Sequence, residues 1–436
     1  MLSKQATMAL ENRPTRQRYV LASILLAVLF FSYIDRVNVS ILVVDPAFLA
    51  RMGIANDAVR KGLLMTVFLV AYGIGNIVLS PLGDKLGARK AMALSILLWA
   101  LSLLLGGAAT AFMTMLVSRA VLGMSEGLHF PMQSKYVKEW FPVSERGKAN
   151  AVWQMGLSVA PALAMPVFTF IVHVGGWRSS FFILSGLGLI PLALVWCMTT
   201  DTPRLHKKVN TLELRHIEAG LQGEGGTSKK GTSFAAGLKS FSRDYRFWLL
   251  VAYYALHNAI FWGTLTWLPT YLKEAKGFSW SAMGTLSSLP WILALVAKIA
   301  AGYVCDRTGH RASMIFSAML MVCVGVFLGA TLRDPVESAI VLSLGIGALG
   351  FALPPIWTLL QDIVPGHAIG VGAGVMNGLA NGLSALAPIA IGVVIHMTGS
   401  YADGLYFLVC CGGLAACMML LFMTRRSRMP ALHSQP

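Results

Sequence analysis

Asp35 and Arg36 stand side by side inside an apolar stretch that runs from Tyr19 to Val44. Either charge alone at the middle of a membrane helix costs roughly 2.5–3.5 kcal/mol on insertion scales. Further along, Arg119, Glu126 and Gln133 follow one another at seven-residue intervals, and His129 lies a turn beyond Glu126. Seven residues are about two helical turns, roughly 10 Å on one face. A polar stripe of that kind faces an aqueous cavity more readily than lipid. A guanidinium grips a carboxylate through two parallel hydrogen bonds. A buried carboxyl can switch between an Arg-bound ionised form and a protonated form, because desolvation and the Arg act on it in opposite senses. These residues therefore have the chemistry to receive an anion and a proton together. The plainer alternative is that each is structural, bonded to a neighbouring helix. Adjacent residues on a helix point about 100° apart, so Asp35 and Arg36 must each face something different. Arg36 and Arg119 are expected at similar depth, open to one cavity. His129 can relay protons or sit neutral and hydrogen-bonded.

The elements that hold these residues are membrane helices. Of 436 residues, 56% are hydrophobic and 12% charged, about half the charge of a soluble domain. Twelve spans of bilayer length fit at 19–43, 62–82, 91–111, 112–136, 149–173, 179–199, 246–271, 281–303, 312–332, 337–361, 370–396 and 403–424. The net charge of +16 suggests nucleic acid, but its distribution excludes that partner. With both termini cytoplasmic, 25 of the 35 Lys and Arg fall on the inside and seven in outer loops, as the positive-inside rule requires. The six cysteines lie in or at the ends of spans without metal-ligand spacing, so no structural disulfide, metal or cofactor is expected. No cleavable signal peptide is evident, and a bacterial inner membrane is the simplest location.

A polar stretch, Thr200–Arg243, divides the spans six and six. The expected organisation is a six-helix bundle over 1–199, a cytoplasmic linker over 200–245 and a second six-helix bundle over 246–436. Within the linker, "NTLELRHIEAGL" (Asn210–Leu221) suits a short surface helix, and "GEGGTSKKGTS" reads as flexible by composition. The halves echo each other. "SPLGDKLGARK" follows the second span and "GYVCDRTGHRA" the eighth, and their Asp84 and Asp306 stand 222 residues apart. Repeated bundles around a midplane site are a transporter architecture.

The first of these turns resembles the signature of the major facilitator superfamily, Gly-x-x-x-Asp-Arg/Lys-x-Gly-x-Arg-Arg/Lys, with Ser80 in place of the first Gly. "YIDRVNVS" and "RAVLGMSEGLHFPMQSKYVKEWFPVSERGKA" (Arg119–Ala149) narrow the resemblance to its anion:cation symporter family. That family includes bacterial sugar-acid and carboxylate importers, related to vesicular and lysosomal organic-anion carriers. The resemblance implies an all-α fold of twelve helices in two pseudo-symmetric bundles, acting as a monomer by alternating access. It implies protonation at Asp35 and Glu126, and charge pairing and substrate binding at Arg36 and Arg119. Tyr72 matches a family Tyr that can donate its hydroxyl, and Asn381 matches an Asn of the eleventh helix. Trp357, Asn377, Asn381 and the stretch Tyr253–Trp267 suit a polyhydroxylated chain, although Asn and Ser also bridge packed helices. Lys298, the only basic residue deep in the second half, is either a third anion contact or snorkels to the inner surface. Where sugar-acid carriers have a polar residue in the fifth helix this chain has Leu157, with Gln154 a turn earlier. "SVAPALAMP" (Ser158–Pro166) around it is apolar and leaves room for a smaller or more hydrophobic acid. Asp84, Arg89, Glu145, Arg146, Asp306 and Arg311 are expected where the halves meet on the inner side, as a charge latch.

The reading from sequence is a proton-coupled importer of an organic carboxylate, a sugar acid such as an aldonate first. A carrier of small mono- or dicarboxylates or aromatic acids is the alternative. An organic phosphate exchanger is the nearest rival in the same fold; by resemblance such exchangers place Arg in the first and seventh helices, where this chain has none in the seventh beyond Arg246, and a drug antiporter would lack the paired arginines. Enzyme signatures such as H-E-x-x-H and G-x-S-x-G are absent. A sensor that binds without net flux shares every one of these features.

Overall fold

The computed structural model describes residues 14–225, 234–365 and 368–426. Among them every regular element is helical. The helices are α1 (Gln17–Leu42), α2 (Ala58–Val78), α3 (Ala88–Ala108), α4 (Phe112–Trp140), α5 (Gly156–Leu187), α6 (Leu189–Met198) and α7 (Thr211–Gly225) in the first part. The second part has α8 (Tyr245–Thr270), α9 (Trp280–Thr308), α10 (Arg311–Thr331), α11 (Pro335–Gly347), α12 (Leu349–Ile363), α13 (Ile369–Ser384), α14 (Ala387–Thr398) and α15 (Tyr401–Arg426). Among the described residues nine helical stretches are long and apolar enough to cross a membrane. Neither α4 nor α8 is among them, and these are the helices richest in polar and aromatic side chains. One of the nine, Arg146–Met198, covers 53 residues. Its backbone turns at Gly176 (φ 74°, ψ 166°), in the gap between the spans expected at 149–173 and 179–199. The linker helix expected from Asn210 is α7; residues 226–233, which contain most of the Gly/Ser-rich segment, lie outside the described residues.

Local chemistry sets the helix ends. Asp57 accepts from the Arg60 amide at the start of α2, Asp244 from Arg246 at α8, Ser279 from Ala282 at α9 and Asp334 from Glu337 at α11. Each cap satisfies a backbone donor that the helix itself leaves open. The two related turns share a glycine of positive φ, Gly87 (φ 83°, ψ 157°) and Gly309 (φ 65°, ψ −1°), 222 residues apart like the Asp pair before them.

Glycine determines how closely the helices that carry the charges can pack. A Cβ on Gly123 would strike the Phe68 carbonyl, one on Gly127 the Tyr72 carbonyl and one on Gly75 the Met124 carbonyl. The small-residue face of "GMSEG" thus seats α4 directly on α2. It brings Phe68 and Tyr72 against the face that carries Arg119 and Glu126. The first and second parts of the chain meet chiefly through α5 on α9 and α2 on α14. At the end of the bundle remote from α7 they close tightly. Trp280 of α9 donates its indole N–H to the Thr169 carbonyl of α5 (2.7 Å). There, Cβ atoms on Gly62 and Gly392 would meet the carbonyls of Pro388 and Ala58.

Candidate functional site

The site is built on the middle of α1 and α4. Arg36 Nη2 donates to Glu126 Oε2 at 2.8 Å, and Nε donates to the same oxygen at 3.1 Å. The Ser32 hydroxyl, one turn before Arg36 on α1, donates to that oxygen as well, at 2.8 Å. Arg36 is 1% exposed and Glu126 0%. Ser32 and Arg36 share an i, i+4 face, which is how one carboxylate oxygen gathers donors from both. The desolvation cost of burying two charges is offset only where their geometry is this good.

Four rings enclose the Arg36 guanidinium. Its Cζ lies 4.1 Å from the centroid of Tyr33, 4.9 Å from Tyr72, 5.1 Å from Phe68 and 5.4 Å from Trp262. Tyr33 and Trp262 stack on each other at 6.1 Å. Ring faces attract a guanidinium and exclude water from it. Trp262 comes from α8, so the second part of the chain completes the cage around a charge of the first. Arg119 lies on the other helix that bounds Phe68, 4.6 Å from the same ring.

Beside this pair are buried polar atoms with no hydrogen-bond partner among the described residues. Arg119 has one long bond, Nε to the Leu64 carbonyl at 3.4 Å, while its Nη1 and Nη2 have none. Asp35 Oδ2, Glu126 Oε1, His129 Nε2, Gln133 Oε1 and both side-chain heteroatoms of Asn38 are likewise unpartnered. Buried donors and acceptors left open are costly. Those on α1 and α4 cluster around the Arg36–Glu126 pair. His129 donates from Nδ1 to the Glu126 carbonyl (2.7 Å), which leaves Nε2 as the free ring atom. Gln133 donates to the Leu25 carbonyl at 3.2 Å and ties α4 to α1.

The structure corrects several expectations. The two arginines do not open onto a shared aqueous cavity. Both are buried, because four rings and the glycine-mediated packing of α4 on α2 enclose them. Their duties also differ: Arg36 is committed to Glu126, and only Arg119 has free guanidinium nitrogens. The Lys298 Nζ donates to the Ser158 hydroxyl of α5 at 2.7 Å, joining the two parts of the chain. The residues expected to latch the halves have partners close by in sequence or fold. Glu145 accepts from Arg18 (2.8 Å) and His216 (2.9 Å), Arg89 bonds the Trp196 carbonyl, and Arg311 pairs with Asp362. Arg146 donates to the carbonyls of Lys138 (3.0 Å) and Phe141 (3.3 Å). The side chains of Asp84 and Asp306 lie outside the described set. Arg89–Trp196 and Arg311–Asp362 each lie within one half of the chain.

In the second part, Asn381 donates to the Asn377 side-chain oxygen (3.0 Å) and accepts from Asn258 (3.5 Å). Trp357 meets Tyr254 edge-on at 5.7 Å. Gln154 has no hydrogen-bond partner among the described residues and lies at the break between Arg146–Gln154 and α5. The sequence reading did not single out Asn38, Phe68 or Tyr33, and it took in His257 and Trp262 only as part of the stretch Tyr253–Trp267. Spacing was a usable signal for one of them, since Asn38 is three residues after Asp35 on the same helix face.

Comparison with known proteins places this arrangement. The profile of the Major Facilitator Superfamily matches residues 25–388. The "Probable sulfoacetate transporter SauU" of Cupriavidus necator is 29% identical over 88% of this chain and 89% of its own. The "Probable galactarate/D-glucarate transporter GudP" of Bacillus subtilis is 29% identical, over 91% of this chain and 90% of its own. A D-galactonate transporter of Escherichia coli O6:H1 is 26% identical over 91% and 93%. These relatives are named as transporters, not enzymes. Among solved structures, a bacterial homolog of the human lysosomal transporter Spinster, inward-facing and unoccupied, superposes with a TM-score of 0.78. It is 16% identical and covers 96% of this chain and 100% of its own, which is a likeness of fold.

Proposed function

This chain belongs to the Major Facilitator Superfamily, and from that premise we propose that it imports an organic carboxylate together with protons, by alternating access. It is a multi-pass membrane transporter; the proton coupling, the cargo and the route are the proposal. The observation that carries it is the Arg36–Glu126 pair, set beside an Arg119 with free guanidinium nitrogens and an Asp35 with a free carboxyl oxygen.

The arrangement supports an exchange of partners. A proton on Glu126 removes the charge that holds Arg36, and Arg36 is then free to join Arg119 on an arriving carboxylate. Loss of the proton to the other side restores the Arg36–Glu126 pair and expels the anion. Asp35 supplies a second protonation site next to the first. Tyr72 and Tyr33 bring hydroxyls to the same guanidinium. Asn377 and Asn381 lie on α13 as hydrogen-bonding groups for a hydroxylated chain. Rocking of the two halves then exposes the cluster alternately.

Several finer features belong to the same proposal. Counting α4 and α8 as spans, and dividing Arg146–Met198 at Gly176, raises the nine apolar stretches to twelve, six on either side of the linker. The domain boundaries are then 1–199, 200–245 and 246–436, with both termini and α7 cytoplasmic, in a bacterial inner membrane, the protein acting as a monomer. The galactarate/D-glucarate and D-galactonate transporters support a sugar acid as cargo. A smaller acid is the second reading, favoured by Leu157 and the apolar run Ser158–Pro166 and by the sulfoacetate relative. Phosphate exchange is disfavoured because Arg246 sits at the start of α8 and is bound to Asp244 at 2.6 Å.

Uptake into proteoliposomes is the test. Purified protein should accumulate a labelled sugar acid or short acid when the outside is more acidic, and a protonophore should abolish the accumulation. Uptake that ignores the proton gradient would remove the coupling, and binding without flux would turn the reading toward a sensor.

A further inference from the structure

Among the described residues, and leaving aside the linker helix α7, five charged side chains lie at least six residues from either end of their helices and from the break at Gly176: Asp35, Arg36, Arg119, Glu126 and Lys298. Three are cations and two are acids. With both acids ionised the set has one uncompensated positive charge, and protonation of either acid leaves two. An interior of low dielectric does not tolerate two unpaired cations. The protonated protein therefore calls for two negative charges from its cargo.

The positions of the cations say where those charges go. Arg36 and Arg119 flank Phe68 in the first part of the chain. Lys298 is on α9 in the second part, has no ion-pair partner among the described residues and is held only by the neutral Ser158 hydroxyl. His257 of α8 lies within electrostatic reach of Lys298. The His257 ring is 4% exposed, its Nδ1 has no partner, and it is stacked on Tyr254 at 6.0 Å. His257 precedes Trp262, the cage residue over Arg36, by five residues. That is about 7.5 Å of helix rise, the length of a small acid. His257 and Trp262 thus set Lys298 and Arg36 beside one stretch of α8.

We propose that Lys298, with His257 beside it, receives the second acid group of a two-headed anion whose first carboxylate is held by Arg36 and Arg119. The inference rests on the transport reading above and narrows its cargo to compounds with an acid at each end. It also gives Lys298 a part in the cycle. A cargo that bridges the halves pulls Lys298 from Ser158 and links α9 to the α1–α4 cluster, so a one-ended acid binds without drawing the halves together.

The experiment is competition for uptake in proteoliposomes by glucarate, which has an acid at both ends, against gluconate, the same carbon chain with one. A charge-assisted contact contributes about 1.5–3 kcal/mol, so the wild type should prefer the two-ended acid by about tenfold or more. Lys298→Gln should bring the ratio close to one, and Lys298→Arg should restore most of the preference. A wild type that treats the two acids alike overturns the subsite without reference to any variant. So does a Lys298→Gln protein that weakens both acids in step. If none of these acids, nor a short dicarboxylate or sulfonated acid, enters with protons, the transport reading falls and the subsite falls with it. If uptake persists without the preference, the subsite falls alone.

Discussion

Arg36 and Glu126 are bound at 2.8 Å through a single carboxylate oxygen, Oε2, while Oε1 of the same group has no partner. The pair is therefore strong but incomplete. A fully satisfied carboxylate would be a structural bridge. One with a buried vacant oxygen can take a proton without first breaking the bond that holds it.

Glu126→Gln keeps the shape and an oxygen for Arg36 but cannot exchange a proton. Accumulation driven by a proton gradient should be lost, while exchange of labelled for unlabelled cargo across the liposome membrane continues. Accumulation at the wild-type rate would show that Glu126 does not couple the proton. Glu126→Ala should be worse, because stranding Arg36 in the interior costs about 3–5 kcal/mol; the melting temperature of the purified protein should fall with it.

Arg119 has two free guanidinium nitrogens, so its removal should affect binding more than folding. Arg119→Ala is expected to abolish ligand-induced thermal stabilisation. Arg119→Lys, which keeps the charge and loses the fork, should recover only a small part of it. A variant that still binds with normal affinity takes Arg119 out of the site.

Trp262 reaches Arg36 from α8 at 5.4 Å. A desolvated cation–π contact contributes about 0.5–2 kcal/mol, so Trp262→Ala should weaken cargo affinity by several-fold, up to about thirty-fold. Trp262→Phe should retain most of it. Initial uptake rates measured across a range of cargo concentrations separate this from a loss of folded protein.

The closed end of the bundle depends on glycine. A Cβ on Gly62 would meet the Pro388 carbonyl, and one on Gly392 the Ala58 carbonyl. Gly62→Val should hold that end open and slow transport by at least about tenfold, a barrier increase of about 1.4 kcal/mol. In a variant with a cysteine at Thr266, the thiol should then react faster with a membrane-impermeant reagent. Unchanged labelling would mean that α2 and α14 can separate without passing this contact.

The linker helix α7 is tied to α1 through Glu213, which is fully buried. Its carboxylate accepts from the amides of Gln17 (3.1 Å) and Arg18 (3.1 Å) and from the Thr15 hydroxyl (2.6 Å), and so caps α1 from outside the helix. Glu213→Ala should cost about 1–3 kcal/mol and speed amide exchange in 211–225. Glu145 makes the contact pH-dependent. Partial burial pushes its carboxyl up, but Arg18 and His216 outweigh that and hold it below its ordinary value of 4.5. A lowered folded value means the contribution is complete above pH 4.5 and is lost as pH falls through the lowered value. Protection of the 211–225 amides, taken relative to intrinsic exchange at each pH, should therefore hold down to the carboxylate range and fall below it, and Glu145→Gln should remove that fall.

Much of this molecule was legible in its sequence, and for identifiable reasons. Hydropathy and the linker composition located the helices, because a bilayer admits only long apolar segments with their backbone bonds made internally. Gly87 and Gly309 were legible as a repeat, because a backbone of positive φ favours glycine and a duplicated turn keeps its spacing. Asp35, Arg36, Arg119 and Glu126 stood out because charge inside an apolar segment costs too much to be idle. Asn38, Phe68 and Trp262 did not stand out, since an amide or a ring in such a helix has many ordinary uses.

By itself the sequence determined which residues are charged, how deep in their helices they lie and that the chain is a many-helix membrane protein. Only the tertiary structure decided who pairs with whom. Arg36 rather than Arg119 takes Glu126, Lys298 takes Ser158 rather than a carboxylate, and the turn residues Arg89 and Arg311 bond within their own halves. Pairing depends on which faces the helices turn to each other. Glycine contacts such as Gly123 on Phe68 set those faces, through approaches between residues far apart in the chain. Periodicity along one helix carries depth and face, but no record of the neighbour that the face will meet.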